Sequence, residues 1–327
     1  MPATDLFMTL ANPLDYLDSN QDWRNFTTEV SDNTGEHYLD LWIENARINR
    51  KIVRERGWAA EFQDSHVNKT AVMLGASPAI KNQIGTLQTL QGDSDFVLIG
   101  ITSGLKFMLD NDIKPQYVMI ADADPAIDRF WKGMDMSQTK DMTLLANVCT
   151  HPKLLEMWQG PIKFIAIYTA VKKLDRKLAK WYAPVNGVGS FFPALCSQYN
   201  TGAALAYMIF GCKIIIFVGN ELGFTDEETT YYADREDVKD GWARGPHINI
   251  YGERAYTNAM LMSLKLSMED FLGKISGDGW FFNCTEAGIF GVSKRFGNLP
   301  WIKQLTLTAG IMQARSIMHT GKPILGV

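Results

Sequence analysis

Short apolar runs alternate with helical stretches along the middle of the chain. The runs are four to seven residues long and rich in branched or aromatic residues, as expected for strands covered on both faces. They are Ala71–Leu74, Phe96–Ile99, Tyr117–Ala121, Met142–Val148, Phe164–Tyr168 and Ile214–Val218. Between them, apolar positions recur at helical spacing in Ser103–Asn111 and Pro193–Phe210. The alternation predicts an α/β fold of the Rossmann-like, doubly wound type, with a mostly parallel sheet flanked by helices.

Two further regions flank this alternation. Residues 1–66 are polar and contain a helical pattern over Gly35–Phe62, which predicts a helical N-terminal cap. Residues 67–295 form the predicted Rossmann-like nucleotide-binding domain. Residues 296–327 carry a predicted C-terminal helix over Trp301–His319.

The segment Asn220–Gly252 is rich in Asp, Glu, Tyr and Gly and is too long for an ordinary connection. Loops of this length in compact domains commonly cover binding sites, so we expect a lid-like loop here. A helix is predicted to follow over Glu253–Phe271, and a strand over Trp280–Cys284.

Composition excludes several classes of function. With 32 Lys and Arg against 36 Asp and Glu, the net charge is −4, and no basic stripe offers the clustered cations that nucleic acid requires. Residues 1–20 lack the basic and apolar regions of a secretory signal, which favours a cytoplasmic protein. The apolar stretch Ala203–Gly219 is interrupted at Gly211, so we expect a helix and a strand rather than a membrane span. The four cysteines form no C-x-x-C pair, so neither zinc nor a disulfide framework is indicated.

Candidate chemistry lies at the ends of the predicted strands, because ligands of open parallel sheets bind beyond the carboxyl ends of their strands. The small residues Gly75, Ala76 and Ser77 follow the first strand, and Thr102 and Ser103 follow the second. Such turns let backbone N–H groups approach a phosphate at a helix N-terminus. Helix capping explains the same residues without any ligand, so both interpretations stay open.

Acidic and amide residues follow other strands. Asp122 and Asp124 come directly after the third run, where two carboxylates can share Mg²⁺ with substrate phosphates or bind a sugar hydroxyl. Asn220 and Glu221 follow the most apolar run, and such groups need partners when they are buried. His247, in the long polar segment, is placed to act as an acid or base, although a structural role explains it equally well.

Taken together, these junctions resemble those of the Maf-type (motility accessory factor) flagellin glycosyltransferases. The core of that family is related to hydroxymethylpterin diphosphokinases of the MptE type and, in fold, to bacterial sialyltransferases. The matching motifs are Gly75-Ala76-Ser77-Pro78-Ala79, Asp112-Ile113-Lys114-Pro115-Gln116-Tyr117, Gly187-Val188-Gly189-Ser190, Val218-Gly219-Asn220-Glu221-Leu222 and Asn283-Cys284-Thr285-Glu286-Ala287-Gly288. Two positions depart from the pattern, because Ala79 replaces the usual Ser and Tyr232 the usual His.

The resemblance implies a glycosyltransferase whose donor is a nucleotide-activated sugar, namely a CMP-linked nonulosonic acid of the sialic type. The acceptor would be a hydroxyl of a glycan or protein, and the oligomeric state stays open. Residues expected to bind the donor are Gly75, Ala76, Ser77, Thr102, Ser103, Asp122, Gly189, Ser190, Asn220, Thr285 and Glu286. Residues expected to be catalytic are His247, Asp124 and Glu221.

Two rival functions remain. A diphosphokinase of the hydroxymethylpterin type would use Asp122 and Asp124 to hold Mg²⁺, which the glycosyltransferase reaction does not require. A non-catalytic nucleotide-sugar binding protein is the third hypothesis, and the departures at Ala79 and Tyr232 keep it in consideration.

Overall fold

The computed structural model describes residues 21–168, 172–182, 191–193, 197–225, 232–234, 244–294 and 297–324. The strands are β1 Thr70–Leu74, β2 Phe96–Ile101, β3 Tyr117–Ile120, β4 Thr143–Asn147, β5 Ile162–Tyr168, β6 Phe191–Pro193, β7 Ile214–Val218, β8 Arg244–Ile248, β9 Arg254–Asn258, β10 Trp280–Asn283, β11 Val292–Ser293, β12 Gly297–Asn298 and β13 Lys303–Gln304. The α-helices are α1 Gln21–Arg56, α2 Ile84–Thr89, α3 Thr102–Asp110, α4 Pro152–Met157, α5 Lys172–Tyr182, α6 Gln198–Met208, α7 Ala259–Ile275 and α8 Leu307–Thr320. Short 3₁₀ helices cover Ala59–Phe62, Pro78–Gln83, Pro125–Trp131 and Met136–Thr139.

Nine of the described strands form one parallel sheet in the order β13-β10-β7-β1-β2-β3-β4-β5-β6. The chain winds outward from β1 to β6, returns to place β7 beside β1, and then continues in the opposite direction. Two switch-point strands, β1 and β7, are therefore hydrogen-bonded to each other, with Leu74 opposite Val218. The predicted doubly wound α/β fold is confirmed, and its crevice lies where these two strands end.

Helices cover both faces of the sheet. On one face, α6 and α7 bury Ala203 and Met268 against β1, β2 and β7. On the other face, α2 and α8 pack over β1, β7 and β10, while α1, α4 and α5 pack over β3 to β5. Because each central strand is covered twice, its sequence is apolar throughout, and all five residues of both β1 and β7 are buried.

The long N-terminal helix is attached through side-chain amides. Asn45 and Asn49 of α1 are buried, and each Nδ2 donates to two backbone carbonyl oxygens in the loops that follow β3 and β4, at 2.7–3.1 Å. This helix begins earlier than predicted, at Gln21, and ends at Arg56 because Gly57 takes a left-handed conformation. The proposed domain boundaries at residues 66 and 295 stay a prediction.

The structure corrects the bounds of three further predicted helices, those over Glu253–Phe271, Pro193–Phe210 and Trp301–His319. The predicted helix over Glu253–Phe271 is a strand, β9, followed by α7, whose first turn is capped by the Asn258 side chain. Strand β8 lies inside the predicted lid-like loop and pairs antiparallel with β9, while residues 226–231 and 235–243 of that loop lie outside the described residues. The predicted helix from Pro193 begins at Gln198, after a Ser197 cap, and the final helix begins at Leu307 rather than Trp301.

None of the helices in the described part of the chain is both long and apolar enough to cross a membrane. The stretch Ala203–Gly219 that prompted the question contains most of α6 and all of β7.

Candidate active site at the carboxyl edge of the sheet

The turns after β1 and β7 are packed directly against each other. Gly75 N donates to Val218 O at 2.8 Å, and Ser77 N donates to Gly219 O at 3.1 Å. A Cβ atom at position 75 would lie 2.0 Å from the Gly219 oxygen, so glycine is required there by backbone packing alone. The close approach explains the small-residue turn without a ligand, and it brings the two turns together at the switch point.

Glu221 joins these two turns. Its side chain is buried, and its Oε1 accepts a hydrogen bond from Ala79 N at 2.6 Å, at the start of the 3₁₀ helix Pro78–Gln83. The Glu221 backbone N–H donates to Ser77 Oγ at 3.3 Å. Burial raises the pKa of Glu221, while the hydrogen bonds from Ala79 and Ser77 lower it. The carboxylate thus stabilises the switch point, and its predicted catalytic role stays a prediction.

Asn220 presents a polar group with no partner in the described structure. Its side chain is 4% exposed, and its Nδ2 makes no hydrogen bond with any described residue. The backbone N–H of Asn220 donates to Thr285 Oγ1 at 3.2 Å, which ties the end of β7 to the end of β10. A buried amide without a partner costs about 1–3 kcal/mol, so this Nδ2 indicates a place where water or a ligand atom binds.

Glu286 connects the end of β10 to α8. Its Oε1 accepts hydrogen bonds from Gln83 Nε2 at 2.8 Å and from Leu307 N at 2.9 Å. Its backbone has a φ of 61°, and its carbonyl oxygen accepts from Tyr251 Oη at 2.9 Å. The carboxylate therefore caps the start of α8 while remaining adjacent to Thr285 and the switch point.

A hydrogen-bonded chain of three side chains links the ends of β2 and β3 to the start of α6. Thr102 Oγ1 donates to Gln198 Oε1 at 2.7 Å, and Gln198 Nε2 donates to the Asp122 carboxylate. Burial, together with the nearby charge of Asp124, raises the pKa of Asp122 to about 6. Gln198 was missed by sequence reasoning, because its partners are 96 and 76 positions away in the chain.

The other predicted side chains lie at the same edge or outside the described residues. Asp124 Oδ1 accepts from Ala126 N at 2.8 Å and caps the 3₁₀ helix Pro125–Trp131. Ser103 lies in the first turn of α3, whose Gly104 packs on the Gly75 turn. Gly189 and Ser190 lie outside the described residues.

His247 lies in the β8–β9 hairpin rather than at a strand end of the main sheet. The residue is 3% exposed, and its Nδ1 is 2.7 Å from the Ile248 carbonyl oxygen. The hairpin is tied to the segment after β7 by two backbone hydrogen bonds between Phe224 and Tyr256. The residue is buried in the hairpin, and its predicted catalytic role stays a prediction.

The described acidic side chains at the carboxyl edge do not form a complete metal site by themselves. The described residues contain no group of three or more His, Cys, Asp or Glu side chains placed to hold a metal ion. Asp122 and Asp124 could still share one with substrate phosphates, since Mg²⁺ commonly takes only one or two protein carboxylates.

Fold and site together define a Rossmann-like α/β protein with its polar candidate site at the switch point of the sheet. The family model described as 6-hydroxymethylpterin diphosphokinase MptE-like matches residues 44–227, more than half of the chain. The chain belongs to this MptE-like family, as the sequence motifs predicted. No curated protein sequence matches the chain.

A solved structure shares the fold. It is the structure of the Maf glycosyltransferase from Magnetospirillum magneticum AMB-1, with a TM-score of 0.57 at 12% sequence identity. The alignment covers 82% of this chain and 43% of that chain, so this chain spans less than half the length of that glycosyltransferase. At this identity the likeness supports the fold.

Proposed function

We propose that the chain is a glycosyltransferase that takes a nucleotide-activated sugar, a CMP-linked nonulosonic acid, as its donor. The observation that carries the proposal is the Thr102–Gln198–Asp122 chain, which holds a carboxylate with a raised pKa at the carboxyl edge of the sheet. The family and the fold shared with a Maf glycosyltransferase support this class of reaction.

The donor would bind across the switch point. In the turn from Gly75 to Ser77, the backbone N–H groups of Gly75 and Ser77 already donate to the β7 turn, so the nucleotide phosphate would approach the Ala76 N–H and the first turn of α3, with Thr102 and Ser103. The partnerless Nδ2 of Asn220 suits an oxygen of the donor, with Thr285 and Glu286 beside it. Gly189 and Ser190 keep their proposed role in holding the nucleotide.

In the reaction, the acceptor oxygen forms a bond to the anomeric carbon while the bond from that carbon to the phosphate oxygen breaks. The acceptor proton passes to a carboxylate, and the nucleotide leaves as CMP. Asp122 suits the role of base, because a pKa near 6 leaves it ionised at neutral pH and makes it more basic than an ordinary aspartate. The earlier candidates Glu221 and Asp124 are engaged by backbone N–H groups, so each is a less available base.

The test combines turnover with ligand binding. We expect CMP to raise the melting temperature of the protein without added metal. Asp122→Asn should lower the rate of CMP release from a CMP-sugar at least 100-fold, while CMP still raises the melting temperature of the variant. The matched control is Asp128→Asn, which alters a carboxylate of the same loop that pairs with Lys153 at 2.5 Å. Full turnover by Asp122→Asn would refute Asp122 as the base, and stabilisation by CMP without turnover of any donor would favour a nucleotide-sugar binding protein.

A diphosphokinase is the second candidate, favoured by the adjacent carboxylates and by the description of the family. In that reaction a hydroxymethyl oxygen attacks the β-phosphorus of ATP and AMP leaves, while Asp122 and Asp124 would hold Mg²⁺. Stabilisation by ATP with Mg²⁺ but not by CMP, abolished in Asp122→Asn, would establish this function in place of sugar transfer.

A further inference from the structure

Two basic segments that lie far apart in the chain come together in the fold. Residues 44–56, near the end of α1, hold five cations against two acidic residues, and α5 holds five cations against one. The two helices pack against each other and over β5, on the same face of the sheet. Their exposed side is here called the basic patch. It concentrates ten of the 32 Lys and Arg residues but only three of the 36 acidic residues, in a chain whose net charge is −4.

The contacts between the two helices show that the patch is continuous. Tyr182, at the end of α5, is buried, and its hydroxyl donates to the Ala46 carbonyl oxygen of α1. Burial raises the pKa of Tyr182, while the charges of Arg50 and Arg54 lower it. These two arginines are one turn apart on α1, so cations of α1 lie beside α5. Helix packing thus assembles a cluster of cations that no single stretch of sequence contains.

Most of the cations in the patch are not neutralised by acidic side chains. Arg47 pairs with Glu44 at 2.6 Å, and Lys51 Nζ lies 3.8 Å from Glu55 Oε1. Within the described part of the chain, eight others make no ion pair, namely Arg50, Arg54, Arg56, Lys172, Lys173, Arg176, Lys177 and Lys180. Like charges on one surface repel one another, so the patch is suited to a partner that supplies many negative charges.

The spacing of the cations favours a broad partner over a small anion. Lys173, Arg176 and Lys180 are exposed and recur at spacings of three and four residues, so they share one face of α5. On α1, Arg47, Arg50 and Arg54 recur in the same way. Rows of cations along two neighbouring helices present their charge over a wide surface rather than around one point.

Apolar side chains among these cations favour a lipid surface over a nucleic acid. Ile48 of α1 lies next to Arg47 in the chain and is 49% exposed. Trp181 of α5 is partly exposed, and Lys177 Nζ lies 5.4 Å from the centre of its ring. Cations that pair with headgroup phosphates, beside apolar side chains that enter between the headgroups, are typical of helices that bind anionic bilayers. An elongated nucleic acid would also extend from the patch onto the rest of the protein, which carries a net negative charge.

We propose that the basic patch is a docking surface for a bilayer that contains anionic lipids. Lys173, Arg176 and Lys180 would contact the headgroup phosphates, and Ile48 would enter the region just below them. The binding is peripheral, since no helix in the described residues could cross a membrane. The proposal is independent of the proposed transferase chemistry, because none of the ten cations is among the residues assigned to the donor or to catalysis.

Sedimentation with vesicles tests the proposal without any measurement of turnover. We expect the protein to bind vesicles of equal parts phosphatidylglycerol and phosphatidylcholine, not vesicles of phosphatidylcholine alone, and to dissociate at about 0.5 M salt. Removing four exposed cations of the patch should lower the partition coefficient at least tenfold, in the variant Arg54→Gln/Lys173→Gln/Arg176→Gln/Lys180→Gln. The matched control removes the same charge from exposed positions elsewhere and should change the coefficient less than twofold, in Lys114→Gln/Lys140→Gln/Lys303→Gln/Lys322→Gln.

Further arms identify the class of partner. Ile48→Ser alters no charge and should weaken binding to the anionic vesicles, and unchanged binding would overturn the assigned contact of Ile48 with lipid. Equal binding to both kinds of vesicle, or an equal loss in the two quadruple variants, would overturn the docking surface. Tighter binding of an RNA of about 20 nucleotides than of the anionic vesicles would overturn the choice of a bilayer as partner. Circular dichroism and melting temperatures establish that each variant is folded.

Discussion

Asp122, the proposed base, should reduce the stability of the protein. Its pKa rises from the ordinary value of 3.8 to about 6, because burial and the charge of Asp124 disfavour the ionised form. That difference corresponds to about 3 kcal/mol. The side chain is partly exposed, so solvent screening lowers the expected effect to about 1–2 kcal/mol.

The direction of the pH dependence follows from proton binding. Between about pH 4 and pH 6 the folded protein holds a proton on Asp122 that the unfolded chain has lost, so the free energy of unfolding falls as the pH rises. Above about pH 6 both states are ionised and the penalty is constant. Asp122→Asn carries no such charge, and its carboxamide oxygen can still accept from Gln198. We therefore expect the variant to be more stable than the wild type by about 1–2 kcal/mol at pH 7.5, with the gap closing below pH 4.

Urea unfolding followed by tryptophan fluorescence, repeated from pH 3.5 to pH 8, measures this gap. Asp128→Asn is the control, because it removes a carboxylate that pairs with Lys153 and should give no gain in stability. A variant at Asp122 that is less stable than the wild type at pH 7.5, or a gap that persists unchanged at pH 3.5, would refute the reasoning. In the same pH series, turnover by the wild type should rise through about pH 6 as Asp122 becomes ionised.

Two further predictions concern the fold. Gly75→Ala should lower the free energy of unfolding by more than about 3 kcal/mol or prevent folding, because its Cβ would lie 2.0 Å from the Gly219 oxygen. Gly85→Ala is the matched control: its Cβ would meet no atom within 4 Å, so it should change the free energy of unfolding by less than about 1 kcal/mol. Lys265→Met should cost about 3–5 kcal/mol, since it removes the cation 2.7 Å from the fully buried carboxylate of Glu269. Urea denaturation checks both, and equal effects at the two glycines, or a cost below about 1 kcal/mol at Lys265, would contradict them.

The central strands could be located from the sequence because burial on both faces makes them continuously apolar, as in Ile214–Val218. The β8–β9 hairpin could not be located, for a physical reason. Only Ala255, Thr257 and Asn258 of β9 are buried, and the short strand runs directly into the apolar pattern of α7. The two-residue strands β11 to β13 are too short to carry any period.

The position of the candidate site was predictable, but its internal connections were not. Strand ends place Gly75, Asn220 and Asp122 at one edge, which follows from the parallel sheet alone. The contact between Gly75 and Gly219 depends on β7 returning beside β1, which a local pattern does not specify. Gln198 had no signal at all, because a single amide at the start of a helix is common and its partners come from the start of α3 and from the loop after β3.

A carboxylate after a strand can serve the fold or the chemistry, and its sequence position does not distinguish the two. Glu221, Asp124 and Glu286 each accept a hydrogen bond from a backbone N–H at the start of a helical turn, so each stabilises local structure. Asp122 instead accepts from the side-chain amide of Gln198, and burial raises its pKa to about 6. Burial raises the pKa of Glu221 as well, but the hydrogen bonds from Ala79 and Ser77 lower it. We expect the proton-accepting role from a carboxylate whose position is fixed but whose ionised form is unfavourable. When such a carboxylate takes the proton of an acceptor hydroxyl, its unfavourable negative charge is removed.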